Sequence, residues 1–187
     1  MTVRVLDPTC DLGQDDPAPG PLLESVRDCR IGIRLDILWP AWDWLADEWA
    51  RLLEADGATI VRWRAAGRVN DEGDEVLKEL EEFVGSGLDG CIVGLANCGS
   101  CTSWTIHDAL AADAAGIPTA AVATEQFMDL ARALTRRSGR SGLRIHQLPY
   151  PLHTLPEEDV RDIARQQHRS LLRTLGVRDR LADQPTP

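Results

Sequence analysis

Apolar and polar residues change period repeatedly along the chain. Residues 30–38 place Ile31, Ile33, Leu35 and Ile37 at alternate positions and stop short of Pro40, the pattern of a strand. From residue 42 the spacing switches to three and four. Trp42, Leu45, Trp49, Leu52 and Leu53 then share one face, which predicts a helix over 42–55. Gly57 ends that helix, and a second strand is expected at 59–63. Val76, Leu77, Leu80, Phe83 and Val84 line one face of a second helix over 74–84. Residues 90–96 are almost wholly apolar, as in a central parallel strand buried on both sides. Beyond 97–101 a helix is expected over about 102–115, closed by Gly116. Strands at 118–124 and 143–148 and helices at 127–137 and 156–175 complete the series. The last helix is marked by Pro156 followed by Glu157, Glu158 and Asp159.

Strands and helices in strict alternation predict a doubly wound, Rossmann-like α/β domain. Its core is a five-stranded parallel sheet covered on both faces, in three layers. The domain is expected over 30–182. Residues 1–29 read as an extended N-terminal arm, since 7–21 hold four prolines and no apolar period. Residues 183–187 read as a frayed tail.

Charge and composition then narrow the partners. Thirty acidic against twenty basic side chains give a net charge of −10, which argues against nucleic acid or an anionic membrane surface. No apolar run approaches the roughly 18 residues that span a bilayer. The first residues lack the basic-then-apolar layout of a signal peptide, so a cytoplasmic protein is expected. No Walker loop is present and no GxGxxG follows the first strand, which leaves a small-molecule substrate other than a nucleotide.

Five cysteines, an odd number, do not suit a disulfide framework. Cys98 and Cys101 form a CxxC turn where the most buried strand meets the next helix, the edge at which open α/β sheets bind ligands. A thiolate there faces the unpaired N–H groups and positive dipole end of the helix, which lower its pKa. The pair can close a small disulfide or share a metal. Cys91 begins the buried strand and Cys29 precedes the first strand, so both read as inert. Cys10 in the arm is a candidate accessory.

His107 lies on the helix after the turn and is a candidate acid, base or ligand. A metal site would draw on Cys98, Cys101 and His107. His153 follows the fifth strand on the same edge and is a second candidate accessory, whereas His146 reads as a buried structural histidine and His168 as exposed. Asp36 and Glu125 close the first and fourth strands and could work beside a thiolate. Trp39, Trp42, Trp44 and Trp49 crowd one connection. Core packing accounts for Trp42 and Trp49, and the 39–49 region is a candidate substrate wall or subunit interface.

Several motifs together resemble the UGSC family of (seleno)proteins. They are Cys98-Gly99-Ser100-Cys101 with Thr102-Ser103-Trp104-Thr105-Ile106-His107-Asp108, Gly116-Ile117-Pro118, Thr124-Glu125-Gln126-Phe127, Asp7-Pro8-Thr9 and Pro149-Tyr150-Pro151-Leu152. A looser likeness extends to component B of glycine-type reductases. The resemblance implies a nucleophile at Cys98 with Cys101 as its resolving partner, in reductive or thiol-exchange chemistry at a carbon–heteroatom or sulfur bond. His107 and Glu125 would manage protons. Asp36, Trp39, Gly99, Ser100, Thr102, Ser103, Trp104 and Thr124 would bind substrate. No resident cofactor is required, and an external thiol or thioredoxin would reset the pair. The chain departs from the family pattern at Ile37-Leu38-Trp39-Pro40, where a polar, cationic corner has become apolar and aromatic, which implies a more hydrophobic substrate or a specialised subunit. Two other readings stand beside the thiol enzyme: a metal-dependent lyase or hydrolase, and a non-catalytic subunit of a hetero-oligomeric enzyme; the 39–49 region is where the chain would form a homo-oligomer or meet a partner subunit.

Overall fold

The computed structural model describes residues 14–65 and 72–177. The strands are β1 (Arg30–Leu35), β2 (Thr59–Arg64), β3 (Gly90–Ala96), β4 (Thr119–Thr124) and β5 (Ile145–Leu148). The helices are α1 (Pro40–Ala55), α2 (Glu72–Val84), α3 (Gly99–Ala114), α4 (Met128–Arg137) and α5 (Glu157–Thr174), with one 3₁₀ turn at Glu125–Phe127. All five strands run parallel in the order β2-β1-β3-β4-β5. This is the doubly wound arrangement that the alternating periods predict.

Each face of the sheet has its own core. On one side α1 and α5 bring Trp42, Leu45, Trp49, Leu53, Val160, Ala164 and Leu171 onto Ile31, Ile33, Ile92 and Val122. On the other, α2, α3 and α4 bring Phe83, Ile106, Ala109, Met128 and Ala131 onto Cys91, Val93, Ala121 and Ala123. Removing each large apolar side chain from water contributes roughly 1.5–3 kcal/mol. β3 is buried along its whole length because helices cover both its faces.

A strand backbone and an indole ring meet closely in this core. A Cβ built on Gly94 would lie 2.6 Å from the Trp42 ring, so only glycine lets the β3 backbone pass the indole. The β3–β4 register shifts between Val93 and Ala96, directly before the strand delivers its cysteine turn.

Residues 14–29 are tied to the body rather than free. Leu23 and Val26 join the α1/α5 core. The Asp16 N–H donates to the Gly139 carbonyl at 2.9 Å, and Arg144 donates to the Gly20 carbonyl at 3.0 Å. Arg140 bonds Asp113 at 2.7 Å and reaches the Asp16 and Ala18 carbonyls.

Several boundaries differ from the sequence expectations by one to three residues, three of them for an evident local reason. β1 ends at Leu35 rather than 38, because the Asp36 carboxylate accepts the N–H groups of Leu38 and Trp39 at 2.8 and 3.1 Å and turns the chain into α1. α3 begins at Gly99 rather than about 102, because the Cys98 sulfur caps it. Phe127 belongs to the 3₁₀ turn, and α4 starts at Met128.

Candidate functional site

β1 and β3 are neighbours, but α1 leaves toward one face of the sheet and α3 toward the other. Between their diverging starts lie the carboxyl ends of the strands, the edge where doubly wound sheets form their ligand crevice. The CxxC turn sits on its β3 side. Cys98 is the N-cap of α3, with extended backbone at φ −156° and ψ 173°, and its Sγ accepts the Cys101 N–H at 3.1 Å. Cys98 and Cys101 are joined as a disulfide across this first turn, their Cα atoms 5.1 Å apart.

The two sulfurs differ in exposure. Cys98 is half-buried, whereas Cys101 is 2% exposed. Gly99 and Ser100 between them are exposed, and nothing lies within 4 Å of where a Gly99 Cβ would stand, so this side of the disulfide is open to a reactant. Ser100 Oγ is 3.5 Å from the Cys98 sulfur. Thr102 is buried and Ser103 exposed, and both hydroxyls bond the helix's own backbone. The Thr102 hydroxyl donates to the Cys98 carbonyl at 2.5 Å and the Ser103 hydroxyl to the Gly99 carbonyl at 3.3 Å. Trp104 is half-buried one position further on.

From the β1 side, Asp36 works as a clamp. Beyond its bonds to Leu38 and Trp39, its second oxygen accepts the Leu95 N–H of β3 at 3.3 Å, and the carboxylate is 4% exposed. The same turn places Trp39, whose indole Nε1–H donates to the Cys101 sulfur at 3.3 Å. The Trp39 ring packs on His153 at 5.4 Å between centroids, His153 on Tyr150 at 5.9 Å, and Tyr150 on Phe127 at 6.3 Å. One aromatic row thus runs from the disulfide across the ends of the strands. Ile37 and Leu38, 58% and 43% exposed, extend the apolar rim beside it.

Thr124 and Asn97 finish the floor. Thr124 is fully buried, with its hydroxyl 3.3 Å from the Ala96 carbonyl and 3.1 Å from the Asn97 side-chain oxygen. The Asn97 amide nitrogen is buried with no hydrogen-bond partner, immediately before Cys98. Asn97, Tyr150 and Phe127 were not among the residues expected at the site. The signal for Asn97 is its place, the first polar residue after seven strand positions and the last before the CxxC.

Other expected residues sit elsewhere. His107 is not brought to the disulfide: six positions beyond Cys101, it is turned about 120° around the helix and lies about 9 Å further along it. Its ring is more than half exposed and bonds Asp108 at 3.3 Å, in grooves between α3 and its neighbours α2 and α4. Glu125 is exposed on the 3₁₀ turn after β4. Cys10 lies outside the described residues. Among the described residues no group of three His, Cys, Asp or Glu side chains is placed to hold a metal ion, and Cys98, Cys101 and His107 do not converge. Of the tryptophans in 39–49, Trp42 and Trp49 are fully buried and Trp44 packs half-buried on the same core, which leaves Trp39 as the one at the crevice.

The remaining described thiols are poor nucleophiles. Full burial pushes Cys91 up to about 12. Burial, helped by Asp89 and Asp28, also raises Cys29, which donates to the Ser25 carbonyl at 3.1 Å. No helix among the described residues is long and apolar enough to cross a membrane.

No curated protein matches the chain. A family model described as the UGSC family matches residues 4–177, nearly the whole length of the 187 residues. With the CGSC turn capping α3 at the sheet's switch point, the chain belongs to the UGSC family.

Proposed function

We propose that this protein is a thiol-dependent oxidoreductase acting on a small molecule, with Cys98 as the attacking sulfur and Cys101 as the resolving one. The carrying observation is the asymmetry of the pair: Cys98 caps α3, half-exposed, while Cys101 is buried beneath it and bonded to it. In the reduced protein a Cys98 thiolate keeps the Cys101 N–H and the positive end of a sixteen-residue helix. It attacks one sulfur of a substrate disulfide, forming a mixed disulfide and expelling the other half as thiolate. The Cys101 thiolate then attacks Cys98 Sγ, closing the disulfide and releasing the second thiolate. At a carbon–heteroatom bond the Cys98 thiolate forms a carbon–sulfur bond as the heteroatom group leaves with its electron pair; the Cys101 thiolate then attacks Cys98 Sγ, and the carbon leaves with the carbon–sulfur pair and takes a proton from solvent. An external thiol, or a thioredoxin-like dithiol, restores the reduced pair.

The aromatic row and the exposed Ile37 and Leu38 favour a substrate with an apolar portion. They also form a surface on which a protein reductant or a second subunit could seat the Trp39 side of the crevice. The reducing cytoplasm suits a centre that an external thiol must reset.

The test uses single-cysteine variants and glutathione disulfide as probe. Cys101→Ser should accumulate one glutathione adduct on Cys98, and Cys98→Ser should accumulate none at Cys101. Equal adducts on both variants, or on neither, would overturn the assignment.

A further inference from the structure

We infer that Trp39 makes the buried Cys101 a competent leaving group when the disulfide is opened, by donating its indole N–H to the Cys101 thiolate. This rests on the thiol-enzyme reading above and assigns a role within it. The indole nitrogen lies 3.3 Å from Cys101 Sγ. Cys101 has almost no access to water, so a thiolate formed there loses the hydration that would otherwise stabilise it, and burial alone would make it a poor leaving group. An N–H donor on that sulfur offsets the loss, since a hydrogen bond to a charged group is about twice as strong as one between neutral partners. Cys98 has its own donor, the Cys101 backbone N–H at 3.1 Å. Each sulfur of the pair therefore has a separate N–H, and the two donors come from different strand ends.

Position fixes the order of events. An incoming thiolate reaches Cys98 Sγ, the half-exposed atom. The new bond forms between the external sulfur and Cys98, the Cys98–Cys101 bond breaks, and its electron pair leaves on Cys101, beside the indole. A second external thiolate then attacks the external sulfur of the mixed disulfide, and Cys98 leaves with the electron pair. The indole is held for this by two contacts outside the reaction: the Asp36 carboxylate on its own backbone N–H, and the tilted His153 ring packed beside it. Trp39 is a positioning residue, acting through Cys101.

The substitution that tests this is Trp39→Phe, which keeps an aromatic ring and removes the donor. In a Cys98→Ser background, thiolate absorbance against pH should show Cys101 as an acid about tenfold weaker when Trp39 is replaced. In a Cys101→Ser background the same replacement should leave the acidity of Cys98 unchanged, a contrast that general loosening of the fold would not produce. In the otherwise intact chain, dithiothreitol should open the disulfide severalfold more slowly. Unchanged Cys101 acidity, or an equal change at both cysteines, would overturn the role of Trp39. If the wild-type disulfide neither opens with dithiothreitol nor re-forms after its removal, the thiol-enzyme reading itself fails.

Discussion

The Asp36 carboxylate at the end of β1 accepts the backbone N–H of Leu95 in β3, at 3.3 Å, while its other oxygen holds the turn that carries Trp39. One buried side chain therefore fixes both walls of the crevice. Asp36→Ala strands three N–H groups, of which the Leu95 N–H is buried. It should destabilise the protein by about 2–3 kcal/mol in urea unfolding, with the Leu95 amide losing hydrogen-exchange protection. Unchanged stability would mean that the carboxylate is free for another task.

Arg34 and Asp108 form a buried ion pair at 3.0 Å, and Arg34 also donates to the Gly94 carbonyl at 2.8 Å. The pair ties α3 to the sheet directly behind the cysteine turn. Removing one partner leaves a buried charge, so Arg34→Met or Asp108→Leu alone should cost about 3–5 kcal/mol. The double variant should lose less than either single change, as a chemical denaturation cycle will show.

These two carboxylates also mark what the sequence could and could not disclose. The order of strands and helices follows from local period, and the five strands fall where the alternating and apolar runs place them. The position of the CxxC was legible for the same reason. The start of α3 was not, because Gly99 and Ser100 are poor helix formers and the stabilising cap is a sulfur. Arg34 alternates with Ile33 and Leu35 on β1 and is buried because both faces of this sheet are covered, but its partner Asp108 lies 74 residues away and no local pattern pairs them. The row from Trp39 through His153 and Tyr150 to Phe127 joins three separate loops, and its contacts exist only once β1, β4 and β5 are in place. His107 is close to the cysteines by count along the chain. Three extra helical residues at the start of α3 carry it away around the helix.

His146 is buried in β5, its Nδ1 3.3 Å from the Thr174 hydroxyl, and desolvation lowers its pKa from 6.5 to about 4. The unfolded chain therefore binds a proton that the folded chain refuses between these values. Stability from the neutral ring is complete above about pH 6.5, declines as pH falls below it, and is lost by about pH 4, a total of roughly 3 kcal/mol. Urea unfolding of wild type and His146→Leu at pH 7 and pH 5 should show wild type losing about 2 kcal/mol more than the variant on acidification. Parallel losses in both would assign the acid sensitivity to other groups.

Gly94 passes within van der Waals contact of Trp42, and an added methyl would meet the ring at 2.6 Å. Gly94→Ala should cost about 1–3 kcal/mol through displacement of an indole that nothing lets move freely, since Trp42 also donates to the Arg34 carbonyl at 3.1 Å. The thermal midpoint should fall by about 2–10 °C. An unchanged midpoint would show that β3 has room to yield.

A redox pair of Cys98 and Cys101 with Cys98 outermost orders the reactivity of the two sulfurs. The most direct measurement of that order is timed alkylation of the native protein with iodoacetamide, before and after dithiothreitol, read by peptide mass spectrometry. Without reductant, neither cysteine should be labelled and the peptide should lack the two thiol hydrogens. After reduction, Cys98 should label first and Cys101 much later, with Cys91 unlabelled throughout. Prompt labelling of both cysteines without reductant, or of Cys101 ahead of Cys98, would contradict the account.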